Sequence, residues 1–274
     1  MTPDALLAAF HAQVRLRDAD GSVDNVLEHV GLVRRNYSAD PHTGWAMIES
    51  PEGLGADPDA AIAAQRDFFQ ERGQRVEWKT YSYDDPADLG ARLSAAGFVK
   101  EDDEALLLGS LADLVSGAPL PTGVTLRTVT GADDFRRIQD LGELIWGPGH
   151  WVPDRADEEE AGTPPGPPAE VMIVAEESPE GPVLCAARVT LVPGTDFAGM
   201  WGGNTHPDWR RRGLYRALLA TRSAWAIEQG YSLARVDASP DSEPILRRLG
   251  LHRVATTVPY VFDPSRGRTD PGVA

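Results

Sequence analysis

The sequence predicts an α/β fold, a mixed sheet with flanking helices, built as two units in tandem. Strand-like and helix-like runs alternate along most of the 274 residues. The order strand, helix, glycine, strand, helix, glycine occurs once in each half of the chain. Between the halves, residues 116–123 read SGAPLPTG, whose prolines and small residues interrupt both patterns. We therefore predict two domains, residues 1–119 and 120–274.

The second half supplies most of the predicted elements. A strand over 124–129 precedes an amphipathic helix from Asp133 to Trp146, and an acidic, proline-rich loop over 147–169 follows. Three β-rich runs come next, over 171–175, 183–192 and 197–205. The remaining predicted elements are a helix over 213–229, a strand over 233–238, a short helix over 241–249, and strands over 251–257 and 259–262.

The first half contains a shorter version of the same order. Its predicted elements are a strand over 43–49, a helix over 58–72, a strand over 76–81 and a short helix over 86–95. Gly73 and Gly97 end the two helices, as Gly230 and Gly250 do in the second half. The pattern favours a diverged duplication, and the alternative is two unrelated α/β units.

Charge limits the classes of partner. The chain has 42 acidic and 26 basic side chains, a formal net charge of −16. Residues 1–119 carry 21 acidic and 10 basic side chains, and residues 120–274 carry 21 and 16. A balance this acidic disfavours nonspecific binding to nucleic acid and to anionic membranes. Positive charge is concentrated in the second half.

Other sequence features indicate a cytoplasmic protein. Cys185 is the single cysteine, so an internal disulfide framework and a cysteine-based zinc cluster are excluded, and we expect no metal. No run of about 18 apolar residues suggests a membrane span. The N-terminus has Asp4 where a signal peptide would have basic residues. We expect a monomer or homodimer without a nucleic-acid or membrane partner.

The segment over 205–218, THPDWRRRGLYRAL, carries the clearest chemical signal. It lies between a predicted strand and a helix that begins at Gly213, so several backbone N–H groups at the helix start lack partners. The helix dipole and Arg210–Arg212 add positive potential, which suits a pyrophosphate. Neither nucleotide-binding fingerprint, GxGxxG or GxxxxGK[ST], is present. The alternative interpretation is a solvated arginine run at the start of a surface helix.

This segment resembles the coenzyme A loop of the GNAT superfamily of N-acetyltransferases. The family pattern, Arg/Gln-x-x-Gly-x-Gly/Ala after the fourth strand, reads here as residues 210–215. Arg210 and Gly213 match, whereas Tyr215 stands where a small residue is expected. The order of elements and the sequence PILRRLGL over 244–251 also fit, so the resemblance covers residues 122–263. The first half looks like a second, degenerate copy.

The resemblance implies acetyl-CoA as co-substrate. Backbone groups at the end of the fourth strand would pair with the pantetheine arm, and the amides of residues 211–216 would hold the pyrophosphate. The implied coenzyme contacts are Gly203, Asn204, Thr205, Arg210, Arg211, Arg212, Gly213, Leu214, Tyr215 and Arg216. The corresponding loop of the first half, residues 50–58, carries carboxylates and no arginine, so we predict one coenzyme site per chain.

The usual catalytic residues of the family are not matched. The fourth strand has no glutamate, and Leu246 stands where the family has a tyrosine acid. The candidate bases are His150, His206 and Asp237, with a water chain as the alternative, and the candidate acids are Ser239 and Tyr260. Trp146, Trp151 and the acidic run 157–160 lie in the loop that shapes the acceptor pocket in this family, where they would suit a cationic amine. We interpret Cys185 as a core residue.

The function that the resemblance implies is acetyl-CoA-dependent acetylation of the primary amine of a small molecule, by direct attack on the thioester. Two alternatives remain open. One is a coenzyme A-binding regulatory module without catalysis, suggested by the unmatched glutamate and tyrosine. The other is transfer of a different acyl group, or transfer to a protein N-terminus.

Overall fold

A computed structural model describes residues 1–18, 25–42, 45–147 and 169–267. The chain forms two compact units. The first comprises Met1–Leu106, Asp237–Pro244 and Arg253–Ala274, and the second comprises Leu107–Val236 and Ile245–His252. The boundaries of these units differ from residues 119 and 120, because residues 107–119 group with the second unit and residues 237–244 and 253–274 group with the first. The division into two ancestral copies stays a prediction.

The elements alternate as the sequence predicts. The helices are α1 (Pro3–Phe10), α2 (Pro58–Arg72), α3 (Leu89–Ala95), α4 (Leu111–Leu114), α5 (Ala132–Trp146), α6 (Leu214–Glu228) and α7 (Glu243–Arg248). The strands are β1 (Asn25–Val30), β2 (Val33–Ser38), β3 (Ala46–Glu49), β4 (Val76–Tyr81), β5 (Val99–Lys100), β6 (Glu104–Ser110), β7 (Thr125–Thr128), β8 (Glu170–Glu176), β9 (Cys185–Leu191), β10 (Phe197–Thr205), β11 (Leu233–Ala238) and β12 (His252–Phe262). Within the ranges that the structure describes, no helix combines the length and apolarity needed to cross a bilayer.

The first unit is a mixed sheet with the strand order β1-β2-β3-β4-β12. Strands β3 and β4 are parallel, and the other neighbours in this order are antiparallel. Its core includes Trp78 on β4 and Phe69 on α2, both with no exposed surface. Helix α2 begins at Pro58, where the Asp57 carboxylate accepts a hydrogen bond from the Ala60 amide at 3.0 Å.

The end of the chain differs from the prediction of two strands over 251–257 and 259–262. The structure has one strand, β12, that continues through Pro259, so the predicted break is wrong. Proline lacks a backbone donor but keeps its carbonyl acceptor. The Pro259 carbonyl accepts a hydrogen bond from the Glu101 amide at 2.9 Å, and the strand pairs with β4 on both sides of Pro259.

The second unit has the strand order β11-β10-β9-β8-β7. Strands β10 and β11 are parallel and the other pairs are antiparallel. Helix α5 packs Ile138 and Leu141 against the sheet face that carries Val174 and Ala186. Helix α6 lies along β8, β9 and β10 and begins where β10 has ended. This arrangement places the predicted coenzyme loop at one edge of the parallel pair.

Candidate functional site

Strand β10 carries a β-bulge near its end. Trp201 lies opposite Arg188 on β9, whereas Asn204 lies opposite Ala186, so β10 has one more residue than β9 over this stretch. Gly202 has a φ of 60°, a conformation that favours glycine. The bulge interrupts the β10–β9 ladder and turns the strand before it reaches the loop.

On its other side, β10 pairs with β11 over a short stretch. The parallel register joins Phe197 to Leu233 and continues to Gly199 and Arg235. Strand β10 runs on to Thr205 beyond this last pair. The two parallel strands therefore separate beyond Gly199, on the side of β10 opposite to the interrupted ladder.

The loop after β10 leads into an uncapped helix. Pro207–Trp209 form a 3-10 turn, Arg211 has a φ of 64°, and Gly213 at the N-cap of α6 has a φ of 88°. No side chain caps α6, so its first amides lack an acceptor within the helix. Successive backbone N–H groups in such turns can point toward one spot, which makes an anion-binding concavity.

The arginines of this loop are held in different ways. Arg210 Nε donates to the Thr205 carbonyl at 3.4 Å, and the Arg212 guanidinium lies 4.6 Å from the centre of the Trp209 ring. Arg216 donates to the Ser116 carbonyl at 3.4 Å. The side chains of residues 210–212 are exposed. The loop therefore presents positive charge to solvent beside the open amides.

The Tyr215 ring folds back onto β10. A Cβ atom added to Gly203 would lie 2.6 Å from Tyr215 Cε2, so the absence of a side chain at Gly203 makes room for the ring. Burial raises the pKa of Tyr215. Because the Tyr215 side chain points toward the strand, its ring does not cover the Tyr215 amide at the helix start. A tyrosine in place of the expected small residue therefore still leaves this amide open.

Arg222 was not found by sequence reasoning. This α6 side chain is 1% exposed and donates to the Arg188 carbonyl at 2.7 Å and the Trp201 carbonyl at 3.1 Å. Burial lowers the pKa of Arg222 to about 10, so the guanidinium stays charged at neutral pH. It fixes the strand pair at the start of the bulge. The spacing could have predicted that Arg222 is buried, because positions 214, 218 and 222 lie on one apolar face of the helix.

Solved structures with the same fold match the whole chain, although no family model and no curated relative matches the sequence. A GCN5-related N-acetyltransferase from Kribbella flavida is 19% identical with a TM-score of 0.62, covering 100% of this chain and 96% of its own. A tandem GNAT protein from the clavulanic acid biosynthesis pathway is 13% identical with a TM-score of 0.58, covering 97% of both chains.

The chain has the GNAT N-acetyltransferase fold. A GCN5-related N-acetyltransferase from Sphaerobacter thermophilus agrees, with 15% identity, a TM-score of 0.55, and coverage of 85% of this chain and 77% of its own. The resemblance stated from residues 205–218 and the predicted α/β fold of tandem GNAT-like units are confirmed at the level of fold. At identities this low, the similarity shows the fold alone, and activity has to be argued from the residues of the site.

Within the GNAT fold, His206 is the candidate base that lies in the second unit beside the loop. Its Nδ1 accepts a hydrogen bond from the Asp208 amide at 3.3 Å, and its own amide donates to the Leu184 carbonyl at 2.8 Å. His150, Trp151 and the acidic run 157–160 lie outside the described residues. Trp146, at the end of α5, donates from its indole to Asn204 Oδ1 at 3.0 Å.

The other three candidates lie in the first unit. Asp237 has a side chain 6% exposed and 3.3 Å from Lys79 Nζ, which also contacts Glu104 at 2.6 Å. Ser239 exchanges hydrogen bonds with Ser242. Tyr260 is 7% exposed and belongs to the hydrophobic core. The structure thus gives each of these side chains a partner or a packing environment in the first unit, and their catalytic roles stay predictions.

Cys185 and Leu246 are both buried in the second unit. Cys185 is buried, with its Sγ 3.2 Å from Thr205 Oγ1, and burial raises its pKa to about 11. Cys185 has no exposed surface, which confirms its interpretation as a core residue. Leu246, at the position of the expected tyrosine, has no exposed surface. Among the described residues, no group of three or more His, Cys, Asp or Glu could hold a metal ion.

Proposed function

We propose that this protein is an acetyl-CoA-dependent N-acetyltransferase that acetylates the primary amine of a small molecule. The observation that carries the proposal is the arrangement at the end of β10. The strand separates from β11 and then leads directly to the uncapped, arginine-flanked start of α6. One end of this path suits an extended thioester arm and the other suits a pyrophosphate.

The residues present fit the coenzyme. The amides at the start of α6 and the left-handed turns at Arg211 and Gly213 would hold the pyrophosphate oxygens. Arg210–Arg212 would supply charge-assisted contacts from exposed side chains. The backbone of Gly203–Thr205 would pair with the pantetheine arm as an added strand. The corresponding loop of the first unit, residues 50–58, carries carboxylates and no arginine, so we propose one coenzyme site per chain.

Acetyl-CoA would supply an activated acyl carbon, and the chain would supply position and polarisation. A backbone N–H near the β10 bulge would donate to the thioester carbonyl oxygen as negative charge develops there. The acceptor nitrogen would form the new C–N bond, the C–S bond would break, and the thiolate would leave with a proton. His206 or a bound water would take the proton from the amine.

A second candidate function is coenzyme A binding without turnover. The observations that favour it are the absence of a carboxylate on β10 and the buried Leu246 at the expected tyrosine position. We further propose that the protein acts in the cytoplasm as a monomer or homodimer, on a soluble amine and not on nucleic acid or membrane, which its acidic balance supports.

The test measures coenzyme binding and turnover separately. Calorimetry with acetyl-CoA should give one site per chain, and a panel of amines should release free thiol. Gly213→Glu would place a carboxylate at the open amides and should abolish binding. Gly230→Glu controls for the added charge and for a side chain at a left-handed glycine, because Gly230 has a φ of 91° at the other end of α6. It lacks the contact of residue 213 with Ala118, so the fold of both variants is checked by circular dichroism.

Unchanged acetyl-CoA affinity in Gly213→Glu would refute the coenzyme site. Binding without turnover of any amine would favour the second candidate function. Faster release from propionyl-CoA or succinyl-CoA than from acetyl-CoA would assign a different acyl group, and acetylation confined to a peptide N-terminus would assign a protein acceptor.

A further inference from the structure

One face of the second unit carries arginines around an indole at the point where β10 and β11 separate. Side chains alternate between the two faces of a strand, and Arg188, two residues from Ala186, lies on the face that packs against α5. Trp201 is directly opposite Arg188 in the β9–β10 register. Both side chains are half-buried.

The indole of Trp201 lies flat on the strand behind it. A Cβ atom added to Gly199 would come within 2.7 Å of the Trp201 ring carbons, so the ring covers the glycine. The Arg235 guanidinium stands over this ring, 4.9 Å from its centre. Arg235 itself pairs with Gly199, the last residue of β10 that is joined to β11. The arginine–tryptophan–arginine row therefore spans β9, β10 and β11 at the separation point.

The Arg188 guanidinium carries a positive charge on a half-buried side chain. In the part of the chain that the structure describes, no side chain forms a hydrogen bond or ion pair with its guanidinium. The carboxylate nearest in register, Glu170, lies opposite Thr190 and accepts a hydrogen bond from its hydroxyl at 2.7 Å. Arg188 itself lies opposite the thioether of Met172. A half-buried guanidinium in these surroundings favours an anionic ligand.

The backbone of Arg188 is fixed by a hydrogen bond from helix α6. The buried Arg222 donates to the carbonyls of Arg188 and Trp201 and so holds this cross-strand pair together. It also adds a second positive charge beneath the pair. Because the backbone of Arg188 is fixed, binding a carboxylate or phosphate has to order the arginine side chain alone.

We propose that Arg188 binds an anionic group of the acceptor, a carboxylate or a phosphate, while the edge of the Trp201 ring packs against the acceptor's body. This inference rests on the proposed acetyltransferase function and names the class of its acceptor, an amine that also carries an anion. Neighbouring strands are roughly 5 Å apart, so Arg188 lies roughly 10 Å from β11 across β10. An acceptor anchored there would extend its amine toward the gap between β10 and β11.

The test uses matched acceptors that differ in the anion alone. Thiol release from acetyl-CoA is measured with L-amino acids and their carboxamides, and with phosphoethanolamine and ethanolamine. We expect the anionic member of a pair to have at least a tenfold higher kcat/KM, through KM. The amino-acid and phosphate arms distinguish the two sources of the anion.

Arg188→Gln should remove this preference by lowering kcat/KM for the anionic acceptor about tenfold or more, with the neutral acceptor and acetyl-CoA affinity unchanged. Arg136→Gln is the control, because Arg136 is an exposed arginine of α5 that pairs with Asp133. If Arg188→Gln does not fold, Arg188→Lys keeps the charge, loses the bidentate geometry, and should lower the preference in part.

Equal use of neutral and anionic acceptors, or a preference that survives Arg188→Gln, would overturn the inference while leaving the proposed function intact. If acetyl-CoA binds without turnover, N-acetyl amino acids and their methylamides are titrated into the coenzyme complex by calorimetry. Tighter binding of the acids, lost in Arg188→Gln, supports the anion site, and equal binding overturns it. Loss of the proposed function itself is read separately, as absence of acetyl-CoA binding.

Discussion

Helices α2 and α6 occupy the same topological position in their units and differ in what surrounds their first turn. Each has 15 residues and connects two parallel strands, β3 to β4 and β10 to β11. Helix α2 has the Asp57 carboxylate on its first amides and Asp59 in its first turn. Helix α6 begins at a glycine without a side-chain cap, after three arginines.

The difference separates stability from binding. A carboxylate cap satisfies the first amides and the dipole of α2 from within the chain, which stabilises the helix and leaves nothing for a ligand. Helix α6 gives up that cap, and its amides remain available to an external anion. Two connections of the same topology thus differ in whether the helix start is satisfied from within the chain or left open to the proposed coenzyme.

The largest effect should follow from giving the α6 loop the charge of the α2 loop. The double variant Arg211→Glu, Arg212→Glu reverses two exposed charges next to the open amides. We expect the Kd for acetyl-CoA to rise about 100-fold, or about 2.8 kcal/mol, because attraction to the pyrophosphate becomes repulsion. Calorimetry measures the change. The control, Arg136→Glu with Arg248→Glu, alters net charge equally elsewhere in the second unit, and a similar loss there would indicate a general charge effect.

The next effect concerns the glycine that replaces the cap. Gly213→Ala puts a Cβ in a left-handed residue and within 2.9 Å of the Ala118 Cβ, so we expect a loss of about 2 kcal/mol in unfolding free energy. Gly73 also has a positive φ, 64°, but an added Cβ would meet no atom within 4 Å, so Gly73→Ala should lower the unfolding free energy by about 1 kcal/mol. Denaturant unfolding compares the two. Equal costs would show that the contact with Ala118 contributes nothing.

A smaller effect is expected at the cap of α2. Asp57→Ala removes the acceptor of the Ala60 amide and should lower the unfolding free energy by about 1 kcal/mol, with acetyl-CoA affinity unchanged. Asp57→Asn keeps an acceptor and should restore most of the stability. Weakened acetyl-CoA binding in Asp57→Ala would mean that the two helix ends are not functionally separate.

The same two helices explain how much could be predicted from sequence. Asp57-Pro58 and the glycine after each helix are local signals. Strand β4 alternates apolar and polar residues over Val76–Lys79, and β10 consists mostly of apolar and small residues, so these elements were predicted within a few residues. The region before residue 43 was not assigned. It contains Arg15 and Arg34, which are buried because they pair with Asp84 and Glu49. Because these partners are distant in sequence, the pairing is not visible there, and the hydropathy of arginine predicts exposed side chains.

The candidate site divides in the same way. The loop over 205–216 could be found because its arginines and glycine are contiguous in sequence. Arg188 and Arg222 could not be assigned roles, because one depends on strand register and the other on two carbonyls of neighbouring strands. The bulge at Gly202 depends on how β9 pairs with β10, which no local pattern specifies.

The smallest effect compares the acid response of buried carboxylates in the two units. A hydrogen bond from Arg127 lowers the pKa of Asp134 in the second unit to about 2. Its contribution to stability is present above the unfolded pKa of about 3.9 and is lost as the pH falls toward 2. Burial instead raises the pKa of Glu77 in the first unit, so the folded state binds that proton more readily as the pH falls.

Asp134→Asn should therefore lower the unfolding free energy at pH 7, and with it Tm. The loss should be less than about 1 kcal/mol because Arg127 remains partly solvated, and it should vanish near pH 2. Glu77→Gln should leave Tm unchanged or raise it at pH 7, since the variant no longer buries an ionised carboxylate, and any gain should shrink as the wild-type Glu77 becomes protonated on acidification. Thermal unfolding followed by circular dichroism at pH 7, 5 and 3 distinguishes the two signs. If Asp134→Asn loses as much stability at pH 3 as at pH 7, the ionised form of Asp134 contributes nothing to the unfolding free energy beyond its hydrogen bonds. The carboxylates of the two units would then not differ in how their ionisation affects stability.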